Sequence, residues 1–243
     1  MLAAERQRAI LAALRHQGRV TVSDLGQQFG VSFNTIRRDL RALEQAQLLT
    51  VVHGGALAGS VVDAEIPFPK RQASDVSAKR MIGERAATLV GENQSIILDA
   101  GTTTHEVARA LRTRTDITVI TNALNIAQEL ADCPGILTIV CGGVVRGKSN
   151  CLVGPGAEQA IGQWHVDAVF LSAGGVDCDA GLTNPNPLEA PIKQAMIAAA
   201  RQVILVATSD KFGRRSLAPF CPLQAVHTIV TDNRLPEATA SRL

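Results

Sequence analysis

The sequence lacks any apolar run near the ~20 residues that a bilayer-spanning helix needs, and its start, MLAAERQR, lacks the apolar centre of a signal peptide. The five cysteines are scattered and none falls in a C-x-x-C pair, which favours reduced, buried thiols over disulfides or a zinc site. These absences predict a cytoplasmic protein that needs no membrane, metal or cofactor.

The balance of charge differs along the chain. Its 243 residues are 46% hydrophobic and 19% charged, which is typical of a globular protein. They fit one large α/β domain, or a small domain joined to one of about 170 residues. Residues 1–57 carry seven arginines against four acidic residues, a net charge of +3 that leaves −1 for the remainder. A small basic head on a neutral body indicates a polyanion as the partner of the head.

The periodicity of residues 1–57 predicts a winged helix-turn-helix. A helix over 6–17 is followed by a short extended piece at 20–22, a second helix that ends at Gly30, and a third over 33–45 that begins after the N-cap residue Ser32. The third helix turns Ile36, Leu40 and Leu43 inward. A strand at 48–52 and a glycine-rich tip then form the wing.

The outer face of the third helix is suited to DNA. A rotation of about 100° per residue puts Asn34, Arg38 and Arg41 opposite the buried face. Amides, hydroxyls and guanidiniums on one helix face match base edges and phosphates of the major groove, and the wing tip is available for the minor groove or the backbone. The expected contacts to double-stranded DNA are Ser32, Asn34, Thr35, Arg37, Arg38, Arg41, His53 and Gly54. The alternative is an arginine-rich face that is merely solvated.

The rest of the chain alternates apolar strands with helices, which predicts an α/β domain with a mainly parallel sheet covered on both faces. The strands are expected near 95–99, 117–121, 136–140, 167–172, 203–207 and 227–231, and the helices near 76–91, 104–112, 123–131 and 188–201. Residues 58–75 have the composition of an extended, partly stiff linker.

Ligands of such a sheet bind at the carboxyl ends of its strands, where polar residues cluster in this sequence. Asp99 is followed by a glycine and three threonines at a helix N-terminus, which suits the phosphate of a small metabolite. Other strand ends bring Asn122, paired glycines and Lys211. The alternative is that Thr104 only caps the helix and Asp99 only orders the turn.

The motifs resemble those of one family. VSFNTIRRDL and HGGA in the head, and ILDAGTTT, VITNALNIAQEL, LVGPGAE and SDKFGRRS in the body, are similar to the DeoR family of bacterial regulators of sugar metabolism. The resemblance covers nearly the whole chain. It implies a winged helix-turn-helix at 1–57, a linker at 58–75, and at 76–243 an effector and oligomerisation domain similar in fold to ribose-5-phosphate isomerase.

The resemblance also implies a function. It points to a regulator, most commonly a repressor, of a carbohydrate-utilisation operon, which acts as a homodimer or tetramer and is released from its operator by a phosphorylated sugar. The stretch GLTNPNPLEA favours an amino-sugar phosphate. The residues expected to bind the effector are Asp99, Gly101, Thr102, Thr103, Thr104, Asn122, Gly142, Gly143, Arg146, Gly174, Lys193 and Lys211.

Three other hypotheses compete with this one. GGVVRGKS, residues 142–149, fits the P-loop pattern G-x-x-x-x-G-K-[ST], but Gly154, Pro155 and Gly156 leave no room for the helix that a P-loop requires. An isomerase is disfavoured because its acidic positions fall here on uncharged residues, with only Glu189 and Asp177 as substitutes. The uncharged residues at those positions are Leu171, Gly174, Gly175 and Ile192. The third hypothesis is a DNA-binding protein that no small-molecule effector regulates.

Overall fold

The computed structural model describes residues 3–17, 19–45, 48–52, 54–58 and 66–243. The chain forms two compact units, Met1–Ala64 and Glu65–Leu243, called here the first and the second unit. Within the described residues, no helix is long and apolar enough to span a membrane, and no cluster of three or more His, Cys, Asp or Glu side chains could hold a metal.

The first unit has the elements of a winged helix-turn-helix. Its bounds are α1 Ala3–Gln17, β1 Arg19–Thr21, α2 Val22–Phe29, α3 Phe33–Gln45, β2 Leu49–Val52 and β3 Gly55–Ala58. The strands pair antiparallel in the order β1-β3-β2. The predicted extended piece at 20–22 is displaced by one residue, because Thr21 caps α2 by accepting a hydrogen bond from the Asp24 amide at 3.1 Å.

The core of the first unit lies between its helices. Ile10 and Leu14 of α1 and Leu25 of α2 are buried there with the inner face of α3. As predicted, Ile36, Leu40 and Leu43 all point inward, and none is more than 4% exposed. Gly30 ends α2 with a φ of 62°, a left-handed conformation that favours glycine and lets α3 begin three residues later.

The second unit is built on a parallel sheet of six strands in the order β14-β12-β9-β4-β5-β6. Its elements are α4 Phe68–Ala73, α5 Val76–Ala87, β4 Ser95–Leu98, α6 Thr102–Leu111, β5 Ile117–Thr121, α7 Leu124–Leu130, β6 Ile136–Val140, β7 Val144–Arg146, β8 Cys151–Val153, α8 Pro155–Ile161, β9 Val166–Leu171, β10 Gly175–Asp177, β11 Gly181–Asn184, α9 Ala190–Ala199, β12 Ala200–Val206, β13 Ala218–Cys221, β14 Thr228–Val230 and α10 Glu237–Ala240.

Both faces of this sheet are covered, as predicted. On β4, Ile96 and Leu98 belong to one buried cluster and Ile97 to another on the opposite face. All three side chains are fully buried. This two-sided burial explains why the strand sequences are continuously apolar rather than alternating.

Two expectations about the second unit are wrong. The predicted extended linker contains the helix α4, whose Phe68 is only 5% exposed, so burial of this ring overrides the local proline-rich composition. Gly154, Pro155 and Gly156 do not prevent a helix, because proline is tolerated in the first turn and α8 begins at Pro155. The sequence interpretation also missed the β7–β8 hairpin and the small sheet β10-β11-β13.

Candidate DNA-binding surface and effector site

The predicted recognition surface is the outer face of α3. Asn34, Arg37, Arg38 and Arg41 are all exposed, opposite the buried apolar face of the same helix. Arg37 Nη1 donates to Asn34 Oδ1 at 3.4 Å, so these two polar groups lie side by side. The arrangement presents donors and positive charge together, which is what phosphate and base-edge contacts require.

Two of the predicted DNA contacts also hold the start of α3. Ser32 Oγ accepts from the Thr35 amide at 3.2 Å, and the two hydroxyls lie 2.9 Å apart. Gly54 has a φ of 82°, and its carbonyl accepts from the Val22 amide at 2.9 Å, which ties the wing to α2. His53 lies outside the described residues.

A buried ion pair supports α3 from behind. Arg6 Nε of α1 donates to Asp39 Oδ2 at 2.5 Å, and Gln7 Nε2 lies 3.3 Å from Asp39 Oδ1. Asp39 is only 4% exposed. The sequence interpretation counted Asp39 only as one of the head's acids, although its spacing of three residues from Ile36 places it beside the inward face.

In the second unit, Asp99 is the centre of a buried polar cluster at the carboxyl end of β4. Its Oδ2 accepts from the Ser172 amide at 2.9 Å, from Ser172 Oγ at 2.7 Å and from the Lys193 ammonium. Lys193 also donates to the Ser172 carbonyl at 3.1 Å and lies 5.2 Å from the centroid of the Phe220 ring. Both Asp99 and Lys193 are 1% exposed. The sequence predicted these two residues for the site, and the structure joins them to each other.

The predicted phosphate-binding turn follows Asp99 directly in the sequence. α6 begins at Thr102, its N-cap residue is Gly101, and no side chain caps its first turn. Thr104 is not the cap, since its hydroxyl donates to the Gly101 carbonyl at 3.1 Å. A Cβ at Gly101 would lie 2.7 Å from the Ser172 side chain, so a larger residue there would force this part of the turn to shift. The ten-residue helix α6 therefore begins beside the Asp99 cluster. The free amides of its first turn and the positive end of its dipole favour an anion there.

Neighbouring strand ends bring further predicted residues. Asn122 Nδ2 donates to the Leu152 carbonyl at 3.1 Å, while its buried Oδ1 has no hydrogen-bond partner among the described residues. Gly143 has a φ of 141°, and a Cβ there would lie 2.8 Å from the Val153 carbonyl oxygen. Gly142 is exposed and has open space at its Cβ position.

Arg146 belongs to a second polar cluster, centred on Glu189. Arg146 Nη1 donates to Glu189 Oε1 at 2.6 Å and to Ser149 Oγ at 2.9 Å, and Asn184 Nδ2 donates to Glu189 Oε2 at 2.8 Å. Burial raises the pKa of Glu189, but the nearby Lys193 charge outweighs it together with hydrogen bonds from Ser149 and Asn184 and the Arg146 charge, so the pKa is lowered overall. Glu189 was not among the predicted effector contacts.

Two further predicted effector residues, Gly174 and Lys211, have other hydrogen-bond and ion-pair partners. The Gly174 amide donates to the Thr183 carbonyl at 2.9 Å, and a Cβ at Gly174 would lie 2.5 Å from Pro185 Cδ. Lys211 Nζ lies 3.0 Å from Asp210 Oδ2. Among the hydrogen bonds and ion pairs of the described residues, none joins Lys211 to Asp99 or Lys193.

The P-loop hypothesis fails on local structure. Val144–Arg146 and Cys151–Val153 pair as an antiparallel hairpin, and the Gly-Lys-Ser of the pattern forms its turn. No helix follows Ser149 directly, since the next one begins at Pro155 after the strand β8. Ser149 is 3% exposed and its hydroxyl is bonded to Arg146, so it does not point to a nucleotide.

The substitutes for an isomerase base are also unsuited to accept a proton. A hydrogen bond from Arg215 lowers the pKa of Asp177 to about 2, and the same carboxylate accepts the Asp179 and Ala180 amides. Glu189, whose pKa is also lowered, has Arg146 and Asn184 as partners. Carboxylates held in their ionised form by such partners are weak bases.

Comparison with known proteins agrees with this organisation. The model of the DeoR-like helix-turn-helix domain matches residues 6–60, and that of the DeoR C-terminal sensor domain matches residues 74–233. The putative aga operon transcriptional repressor of Escherichia coli O157:H7 is 35% identical, over 96% of this chain and 87% of its own length. The L-fucose operon activator of Haemophilus influenzae is 33% identical, over 96% of this chain and 93% of its own.

Solved structures give a weaker likeness. Ribose 5-phosphate isomerase A from Neisseria gonorrhoeae matches with a TM-score of 0.41 and 16% identity, over 56% of this chain and 53% of that one. A score this low carries no argument about fold or activity. The HTH-type transcriptional regulator GlpR of Haloferax volcanii is 37% identical, over 97% of this chain and 92% of its own. With both domain models matched and relatives similar over nearly their full lengths, this chain belongs to the DeoR family of helix-turn-helix transcriptional regulators.

Proposed function

We propose that this protein represses a carbohydrate-utilisation operon and is released from its operator DNA by a phosphorylated sugar. In this proposal residues 1–57 bind the DNA and residues 58–75 link this domain to the rest of the chain. Residues 76–243 bind the sugar phosphate and form the contacts of the homo-oligomer. The observation that carries the proposal is the two-sided helix α3, whose buried face is apolar and whose exposed face presents Asn34, Arg37, Arg38 and Arg41. Supporting it, one relative of this chain is named as a putative aga operon transcriptional repressor, and another as a transcriptional repressor.

The sugar phosphate is proposed from the α6 N-terminus. An uncapped first turn next to Gly101 offers backbone amides and the positive end of a helix dipole, which favour a phosphate group. The buried Oδ1 of Asn122 is an acceptor without a partner among the described residues, and a sugar hydroxyl or ammonium would satisfy it. Together with the GLTNPNPLEA stretch, this acceptor favours an amino-sugar phosphate.

Release requires that the effector bind the two states of the protein with unequal affinity, since equally tight binding to both shifts nothing. In the proposed mechanism, a homodimer or tetramer holds paired heads at the spacing of two operator half-sites. The sugar phosphate favours the arrangement in which that spacing no longer fits.

Thermal unfolding against a panel of phosphates tests the sensor part. The panel is glucosamine 6-phosphate, glucose 6-phosphate, ribose 5-phosphate, a triose phosphate, their unphosphorylated forms, and ATP with magnesium. A ligand at one hundred times its dissociation constant stabilises its domain by about 2.7 kcal/mol, which is measurable. We expect a shift with one sugar phosphate and none with ATP. A shift with ATP alone, or turnover of ribose 5-phosphate, would contradict the proposal.

Arginine variants test the DNA-binding part, with duplexes selected from a random pool as operator. Arg38→Ala should weaken operator binding about ten-fold or more and reduce the dependence on salt, while sugar phosphate binding is kept. The matched control is Arg201→Ala, because Arg201 has a side chain that is 84% exposed in the second unit. Normal operator affinity in Arg38→Ala would mean that α3 is not the recognition helix.

A further inference from the structure

Helix α4 is the first described element after the DNA-binding segment, so any movement of α4 moves the point at which the head is attached to the second unit. At six residues it is too short to be stable alone, and its position depends on what it packs against. Ile66, Pro67, Pro69 and Lys70 are exposed around it. Phe68 is the exception at 5% exposure, so this ring docks the helix.

The ring of Phe68 packs against the element that carries the proposed phosphate turn. Its centroid lies 6.4 Å from that of His105, with an edge-to-face angle of 63°. His105 directly follows Thr104 in the first turns of α6 and is 7% exposed. Gln72, one turn further along α4, lies 3.5 Å from His105 Nδ1. His105 Nε2 is held on its other side, 3.3 Å from Glu129 Oε2.

The backbone of Phe68 contacts a second element of the proposed site. The Phe68 amide donates to the Lys148 carbonyl at 2.9 Å, in the turn between β7 and β8. On either side of that carbonyl, Arg146 and Ser149 hydrogen-bond to each other, and Arg146 continues to Glu189. Through its ring and its amide, Phe68 thus contacts both α6 and the hairpin turn.

The other end of α4 is fastened independently of these elements. Lys79 of α5, itself 6% exposed, donates to the carbonyls of Arg71 and Ser74 at the C-terminal end of α4. The N-terminal end, which leads towards the head, is the end that Phe68 docks. Loss of the ring contacts of Phe68 would therefore loosen the end of α4 that is nearest the head in sequence, while Lys79 keeps the other end in place.

We propose that the Phe68 ring couples the effector site to the DNA-binding domain: a sugar phosphate that shifts the start of α6 changes the packing of this ring against His105 and so the position of α4. This inference rests on the proposed function, because it needs an effector at that site. It adds a named residue through which the coupling passes. Coupling of this kind is measured as the factor by which the effector changes operator affinity.

The test compares that factor in full-length variants, with glucosamine 6-phosphate and the other sugar phosphates of the panel as probes and a selected duplex as operator. We expect the factor by which the sugar phosphate changes operator affinity to be about ten-fold or more smaller in Phe68→Ala than in the wild type, and therefore closer to one. Sugar phosphate binding measured by calorimetry without DNA, and operator binding without sugar, should both persist. The matched control is Lys70→Ala on the exposed side of the same helix, which should keep the wild-type factor.

The outcomes separate the two proposals. A wild-type factor retained in Phe68→Ala overturns the inference alone, whereas a wild-type protein whose operator affinity no sugar phosphate changes overturns the proposed function, and the inference with it. If Phe68→Ala does not fold, Gln72→Ala removes the neighbouring contact to His105 from a less buried position. A lowered factor in Gln72→Ala then supports the inference, and an unchanged factor refutes it.

Discussion

Replacing Lys193 by methionine tests whether the Asp99 cluster is a buried ion pair on which the second unit depends. Methionine keeps an unbranched apolar chain beside Phe220 and removes only the ammonium. Asp99 would keep the amide and hydroxyl of Ser172 as donors but lose its counter-charge at 1% exposure. An uncompensated carboxylate at this depth is costly, because water cannot solvate it.

The expected loss follows from that burial. Removing one partner of a buried ion pair costs about 3–5 kcal/mol, and the two hydrogen bonds that Asp99 retains place Lys193→Met near the lower bound. Neutralising the second partner as well should recover at least half of the loss, because the double variant Asp99→Asn with Lys193→Met leaves no buried charge. Lys70→Met, at an exposed position, should change stability by less than about 0.5 kcal/mol.

Urea unfolding followed by tryptophan fluorescence measures this loss specifically. Trp164 is the single tryptophan of the sequence and lies in the second unit, so its signal reports that unit and not the head. Circular dichroism of the same samples follows both units. A Lys193→Met variant that loses less than about 1 kcal/mol, or a double variant no more stable than the single one, would refute the buried-pair reasoning.

Three further predictions address other parts of the molecule. Ile36→Ala leaves a cavity at a fully buried position of the first unit and should destabilise it by about 2–5 kcal/mol, with operator affinity reduced and the Trp164 transition in urea unchanged. Gly101→Ala puts a Cβ 2.7 Å from the Ser172 side chain, so calorimetry should show weakened sugar phosphate binding while operator binding is kept. Asp177, whose pKa Arg215 lowers from 3.8 to about 2, stabilises the fold above its unfolded pKa, and this contribution is lost as the pH falls towards the folded value. Urea midpoints of Asp177→Asn should therefore be lower than those of the wild type at neutral pH and depend less on pH between these two values.

The helices of the first unit were largely predictable from the sequence because one period decides them, although α1 begins three residues earlier than predicted and the strand β3 was predicted only as a glycine-rich tip. Ile36, Leu40 and Leu43 define the buried face of α3, and Ser32 and Gly30 mark where helices begin and end. Asp39 is the exception. A charged residue at the border of a buried helix face is normally predicted to be exposed to solvent. The partner of Asp39, Arg6, is 33 residues away in the sequence, so no local pattern pairs the two residues.

In the second unit, the strands that are buried on both faces were predictable from the sequence, and the short strands were not. Six apolar runs correspond to the six strands of the parallel sheet. The three-residue strands β7 and β8 carry no comparable signal, and the glycine pattern that contains β7 imitates a P-loop. Phe68 was assigned to a linker because two prolines flank it. Its ring partner His105 and the Lys148 carbonyl that accepts its amide both lie far along the chain.

The candidate site shows most clearly what sequence reasoning leaves out. The sequence supplies cations in Lys193 and Arg146 and predicts both as partners of a phosphate, but the structure gives each a buried carboxylate, Asp99 and Glu189 respectively. These carboxylates already balance the two cations, so their charge does little to attract an anion. In the proposed effector site, the attraction for a phosphate would then come mainly from the amides and dipole at the start of α6. Because those groups belong to the backbone, side-chain variants of the two cations should affect stability more than effector affinity, whereas Gly101→Ala should affect effector affinity first.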